Sequence, residues 1–231
     1  MKKTMSDRQK ELDVLSSLSN QKVLISVASC SETHFSTLEK LSNRSDITLQ
    51  SLVARNKATS SKTLDKMVNS AGNELLAYIV MNKNLYSKTL DKILNKKSIT
   101  DSIKQGCLKH PNISSKTLYK FRWSNNVDII LQNPKADSKL LEFAYDCLGC
   151  GHIYELLVQH PNSSLNLLKK MSSHSSTLNY VKTAKDKYIK KFCQIHNLDF
   201  SSFPKETDNI LYWSIKDIDT YLNFLITRKN A

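Results

Sequence analysis

Short apolar segments alternate with polar breaks along most of the chain, and the interval is clearest at one leucine. Leu12, Leu38, Leu64, Leu90, Leu118, Leu141 and Leu168 follow one another at separations of 26, 26, 26, 28, 23 and 27 residues. Three residues after each comes a second apolar position: Leu15, Leu41, Met67, Ile93, Phe121, Ala144 and Met171. That spacing marks one face of a helix. The polar stretches ahead of the leucine, such as "NKATSSKT", "NKNLYSKT" and "HPNISSKT", supply the Ser, Thr or Asp that opens a helix. After another polar break each unit carries a second short apolar segment, for example "ITLQSLVARN", "NELLAYIVMN" or "DSIKQGCLKH". Two short helices per unit are expected, and neither buries its apolar stripe alone, so successive units must stack around a shared core. The expected class is all-α: a right-handed α-solenoid of about seven short two-helix repeats over residues 1–171.

Residues 172–231 leave the repeat. "TLNYVKTAKDKYIKKFCQIHNL" predicts one amphipathic helix, "DFSSFPKET" a loop, and "DNILYWSIKDIDTYLNFLITR" one or two further helices. A helical cap over the last repeat is expected here, with Tyr212, Trp213, Tyr221 and Phe224 serving as its core. Composition agrees with a helical chain: only 4 Gly and 4 Pro occur in 231 residues, too few for a protein of tight hairpins.

The strings "HPNISSKTLYKF", "NPKADSKLLEFA" and "HPNSSLNLLKKM" resemble the variant leucine-rich repeat, across residues 4–171. That resemblance implies a strand-free, HEAT-like helical solenoid. It does not bring the iron–sulfur cluster of a described member of that family, because no Cys precedes Cys30. Five Cys without regular spacing predict reduced, packed thiols, and no cofactor is expected.

Net charge is +13, which favours a polyanionic partner. Neither a membrane span nor a signal peptide is apparent, so a cytoplasmic protein without a membrane partner is expected, and the N-x-S matches at Asn43, Asn112 and Asn162 carry no meaning. Lysine recurs two residues before the anchor, at Lys62, Lys88, Lys116 and Lys139, and two residues after it, at Lys40, Lys66, Lys92, Lys120 and Lys170. At about 100° per residue both positions point away from the apolar face. Stacked units would align Lys40, Lys62, Lys66, Lys88, Lys92, Lys116, Lys120 and Lys139 into two ladders able to follow a phosphate backbone. Glu39, Asp65, Asp91 and Glu142, one residue after the anchor, would form an acidic ladder beside them and partly neutralise it.

The expected function is non-enzymatic binding of nucleic acid, DNA in preference to RNA, through sequence-independent phosphate contacts. A scaffold for an acidic protein is the alternative, since solenoids present extended surfaces. Two chemical candidates rank lower. "CLGCGH" places Cys147, Cys150 and His152 close together, with His160 as a fourth ligand for zinc, but a single CxxC lacks the second pair of a structural site, so no metal is expected. "RWSNNVD" holds Arg122, Trp123 and Asp128, the residue types of a glycosylase on a helical repeat fold. His110 and His160, each ahead of Pro-Asn, are expected to cap or pack in the turn.

Overall fold

The computed structural model describes residues 5–149, 151–173, 179–199 and 213–230, and every regular element among them is a helix. The chain forms two compact units, residues 1–118 and 119–231. In the first unit α1 (Asp7–Leu15), α3 (Phe35–Ser42), α5 (Ser61–Ser70) and α7 (Ser87–Leu94) carry the anchor leucines. They alternate with α2 (Gln21–Ser29), α4 (Ile47–Arg55), α6 (Asn73–Val80) and α8 (Asp101–Lys109). Helix α9 (Ser115–Lys120) opens at the end of this unit. The second unit contains α10 (Val127–Gln132), α11 (Ser138–Leu148), α12 (Gly151–Gln159), α13 (Leu165–Ser172), α14 (Asn179–Ile195) and α15 (Ile215–Asn230).

Capping explains where the helices start. Side-chain oxygens of Asn20, Asp46, Ser60 and Thr100 accept the free backbone N–H groups of the first turn of α2, α4, α5 and α8. Ser6 adds a reciprocal bond with Gln9 at the start of α1. Within the helices, apolar residues at the anchor, three and four places on fall on one face. Leu64, Met67 and Val68, and likewise Leu90, Ile93 and Leu94, are therefore buried together. All seven anchors are buried, none more than 5% exposed. Each contributes about 1.5–3 kcal/mol through the area it removes from water.

Packing follows the solenoid rule that each helix meets its sequence neighbours. In the first unit the second helices form one row, α2 on α4 on α6 on α8, and the anchor helices another, α3 on α5 on α7. Gly106 lets α8 lie close to α6, because a Cβ there would stand 2.7 Å from Val80 Cγ1. In the second unit α12 packs on α10, α11 and α14, while α14 runs along α13 and supports α15. The anchor Leu168 joins Tyr188, Ile189, Cys193, Ile218 and Leu222 in one core cluster, so these two long helices cover the apolar face of α13.

Several positions depart from the sequence expectation. Leu15, at the open end of α1, is 38% exposed, and Phe121 falls beyond the short α9 in a turn and is half-buried. Of the four aromatics assigned to the cap core, Trp213 and Tyr221 pack against the cluster, but Phe224 is 55% exposed, and Tyr212 lies outside the described residues. The reason is register: Leu222 and Leu225 occupy the packed side of α15, and Phe224 falls between them. The described cysteines are all free thiols. Burial pushes the Cys107 thiol up to about 12, which leaves it an inert core residue.

The turns between a second helix and the next anchor helix are joined by a polar ladder. Asn56 Nδ2 donates to the carbonyls of Ala28 and Cys30, each at 2.8 Å, and Asn82 Nδ2 to those of Ala54 at 2.7 Å and Asn56 at 3.0 Å. His110 takes the same place in the next turn, with Nε2 3.1 Å from the Asn82 carbonyl and Nδ1 accepting the Asn112 N–H at 3.1 Å. His160 repeats this in the second unit, on the Asn133 carbonyl and the Asn162 N–H. An acceptor at Nδ1 and a donor at Nε2 require the neutral ring. Burial accordingly holds His110 below the ordinary imidazole value, against a smaller upward pull from its carbonyl partner.

A histidine whose folded-state pKa is lowered binds fewer protons than the unfolded chain does. Stability is then present above about pH 6.5 and is lost as pH falls through the lowered folded-state value. Replacing His110→Asn, the residue that serves at positions 56 and 82, should keep the ladder and remove this part of the pH dependence. Urea midpoints at pH 7.5 and 5.5 should therefore differ less in the variant than in the parent. An unchanged difference would show that His110 is not the group that titrates.

Candidate functional site

The recurring string "KTLDK" acquires a role at every position once neighbouring units are stacked. The leucine is core. In two units the threonine before it and the lysine two places after it both reach back to the carboxylate that follows the previous anchor, and in two others one of the pair does. Asp13 accepts from Thr37 Oγ1 at 2.7 Å and from Lys40 Nζ at 2.8 Å, the lysine reaching both carboxylate oxygens. Asp65 accepts from Thr89 Oγ1 at 2.9 Å and lies 3.4 Å from Lys92 Nζ. Asp91 accepts from Thr117 Oγ1 at 2.5 Å, and Glu39 pairs with Lys66. The bond from Lys40 is the main cause holding the Asp13 carboxyl below its usual value, and that from Lys66 does the same for Glu39. These pairs are largely solvent-exposed, so each contributes at most about 1 kcal/mol. Their larger effect is on charge: Lys40, Lys66 and Lys92 are engaged by carboxylates of the fold.

The lysine two places before the anchor is placed differently. Lys62, Lys88 and Lys116 are exposed at the first turn of α5, α7 and α9 and make no ion pair among the described residues. Beside them stand residues that the repeat pattern had not singled out: Arg55, Lys57, Lys83 and Lys109, all exposed and likewise outside the ion pairs. The seven lie in the three equivalent turns, and the segments 55–62, 83–88 and 109–116 contain no Asp or Glu. These turns form one edge of the first unit that carries seven cations and no carboxylate from its own segments, with Glu39 near enough to Lys62 to feel its charge. The ladder fixes that edge directly, since Asn84 Nδ2 bonds the carbonyls of Lys57 at 2.8 Å and Thr59 at 2.9 Å, and Asn112 Nδ2 those of Lys83 and Leu85, both at 2.8 Å. Successive rungs are about 8–10 Å apart, the spacing of packed helices.

In the second unit Lys135 and Lys139 hold the corresponding turn, here with Asp137 between them; the Asp137 carboxylate is used to cap α11 through the Leu140 N–H at 3.0 Å. Lys139 Nζ stands 5.0 Å from the Tyr119 ring centre, and Lys120 Nζ 5.9 Å from that of Phe121. Lys170 lies 3.7 Å from Asp146.

The remaining chemical candidates separate. Cys147 is exposed and Cys150 lies outside the described residues. His152 Nε2 is 2.9 Å from Asp128 Oδ1, and both ring nitrogens of His160 are spent on the backbone, which removes it from any ligand set with Cys147. Arg122 lies over Tyr119 while Asp128 is engaged by His152. No helix among the described residues is long and apolar enough to cross a membrane. Comparison of the chain with protein-family models, with curated proteins and with solved structures finds no match.

Proposed function

We propose that this protein is a non-enzymatic nucleic-acid binder whose basic edge contacts phosphates without reading base sequence, with duplex DNA preferred. The observation that carries the reading is the edge itself: seven cations in three equivalent turns whose own segments hold no carboxylate and are tied together by the asparagine ladder. Lysine supplies point charges, and these turns offer no repeated Asn or Gln for base reading, because their asparagines are spent on backbone carbonyls. The two His–Pro–Asn turns at 110–112 and 160–162, with Asn133–Pro134 between them in the chain, also support kinship with the variant leucine-rich repeat proteins, since their His and Asn side chains make the ladder bonds.

Binding of this kind releases condensed counterions. If about six of the edge cations meet phosphates, the slope of log affinity against log salt should be near −5, measured by fluorescence anisotropy on duplexes of unrelated sequence. A shallow slope with retained DNA affinity would contradict phosphate contact. Failure to bind duplex at low salt, with tight binding to an acidic polypeptide such as polyglutamate, would transfer the same edge to a protein partner.

A further inference from the structure

The second unit exposes an aromatic cluster that the repeat architecture does not require. Trp123, 64% exposed, meets Phe143 edge to face, with ring centres 4.7 Å apart at 90°. Phe143 also meets Tyr119 at 6.0 Å. Two cations are laid over these rings: the Arg122 guanidinium stands 4.3 Å from the Tyr119 ring centre and 5.1 Å from that of Phe143, and Lys139 Nζ is 5.0 Å from Tyr119. The guanidinium also donates to the Tyr119 carbonyl at 2.9 Å, while its Nε is buried without an acceptor. Rings rather than carboxylates hold it. The acids nearest in sequence to the two cations are engaged elsewhere, Asp128 with His152 at 2.9 Å, Asp137 at the α11 cap and Glu142 with Ser164 Oγ at 2.8 Å.

We propose that this cluster is a platform for an unpaired nucleobase, which stacks on the exposed Trp123 ring while Arg122 and Lys139 attract the flanking phosphates. The inference rests on the nucleic-acid reading above and adds to it the form of ligand, a single strand or an unpaired end. Charge decides the occupant. A cationic side chain or methylated amine, the other usual guest of aromatic rings, would meet two cations already seated there. A base tethered between phosphates is attracted by both. Trp123 packs at 90° against Phe143, so its indole is oriented before a ligand arrives, and little order is lost on stacking. Lys139 occupies the same register position as the basic-edge residues Lys62, Lys88 and Lys116, two places before an anchor leucine.

The test uses the full chain with two probes, a single-stranded oligothymidine of about fifteen nucleotides and a blunt duplex of equal length. Single-strand binding should quench tryptophan fluorescence, and Trp123→Ala should remove most of that quenching. The same variant should weaken single-strand binding by roughly 5- to 100-fold while duplex affinity stays within about twofold. Trp123→Phe should restore much of the loss, since a ring face remains, and circular dichroism should confirm that both variants stay folded. Unchanged single-strand affinity in Trp123→Ala, or an equal loss on both probes, overturns the platform and leaves duplex binding at the basic edge standing. If the parent protein binds neither probe at low salt, both readings fall together.

Discussion

Reversing Lys62, Lys88 and Lys116 to Glu should lower duplex DNA affinity by at least about two orders of magnitude at low salt. The triple variant removes three of the seven cations of the basic edge and puts three carboxylates where none stood, so repulsion adds to the lost contacts. Folding should survive. All three side chains are exposed and make no ion pair among the described residues, and far-UV circular dichroism should match that of the parent. The control is an equal reversal at Lys182, Lys190 and Lys216, which lie outside the repeat turns; Lys191 is left intact because its Nζ holds the Ser163 carbonyl at 2.6 Å. That control should cost little beyond the general effect of net charge. Equal losses from the two triple variants would mean that total charge, rather than the ordered edge, drives binding.

The largest expected change in stability comes from a single buried amide. Asn82→Ala should destabilise the protein by about 3 kcal/mol. Asn82 is 6% exposed; its Nδ2 serves two carbonyls and its Oδ1 accepts the Asn84 N–H at 2.9 Å. Truncation takes the partner from the Ala54 carbonyl and the Asn84 N–H and leaves the Asn56 carbonyl with the Thr59 N–H alone, and water reaches a packed turn poorly. Asp65→Ala is the useful comparison, because it removes a half-exposed acceptor of Lys92 and Thr89 and should cost about 1 kcal/mol, with the ion-pair part shrinking further in salt. Denaturant unfolding of both variants measures the contrast. Should Asn82→Ala cost no more than Asp65→Ala, the ladder is not what binds successive turns.

This difference between neighbouring polar residues could not be read from their spacing. Thr63, Asp65 and Lys66 look alike as polar positions flanking Leu64, and angular position on a helix places the lysines away from the core, which holds for Lys62 and Lys66 alike. Angle says nothing about what approaches from the next unit. Lys66 meets Glu39, 27 residues away, whereas Lys62 makes no ion pair. Arg55 and Lys109, nine places before their anchors, and Lys57 and Lys83, seven places before theirs, recur in too few of the seven units to stand out as a repeat position. Their signal is the absence of acids from three turns, which becomes a surface only when those turns align. The ladder was closer to legibility, since Asn56, Asn82, His110 and His160 recur in the strings "RNKATS", "MNKNLY", "KHPNIS" and "QHPNSS".

The sequence alone determined the helical class, the position of the anchors and the polar turns between them. Those features depend on local periodicity and on burial of a leucine face, both of which act within one turn or one unit. Tertiary structure decided which charges remain available. The carboxylate after one anchor is claimed by the threonine, the lysine or both of the next unit, the asparagines are claimed by carbonyls about one repeat away, and what is left outside these bonds is the basic edge of the first unit and the exposed Trp123 ring of the second. The physical reason is that ion pairs and hydrogen bonds form between groups close in space, and stacking brings together residues some 24 to 29 positions apart that no local pattern relates.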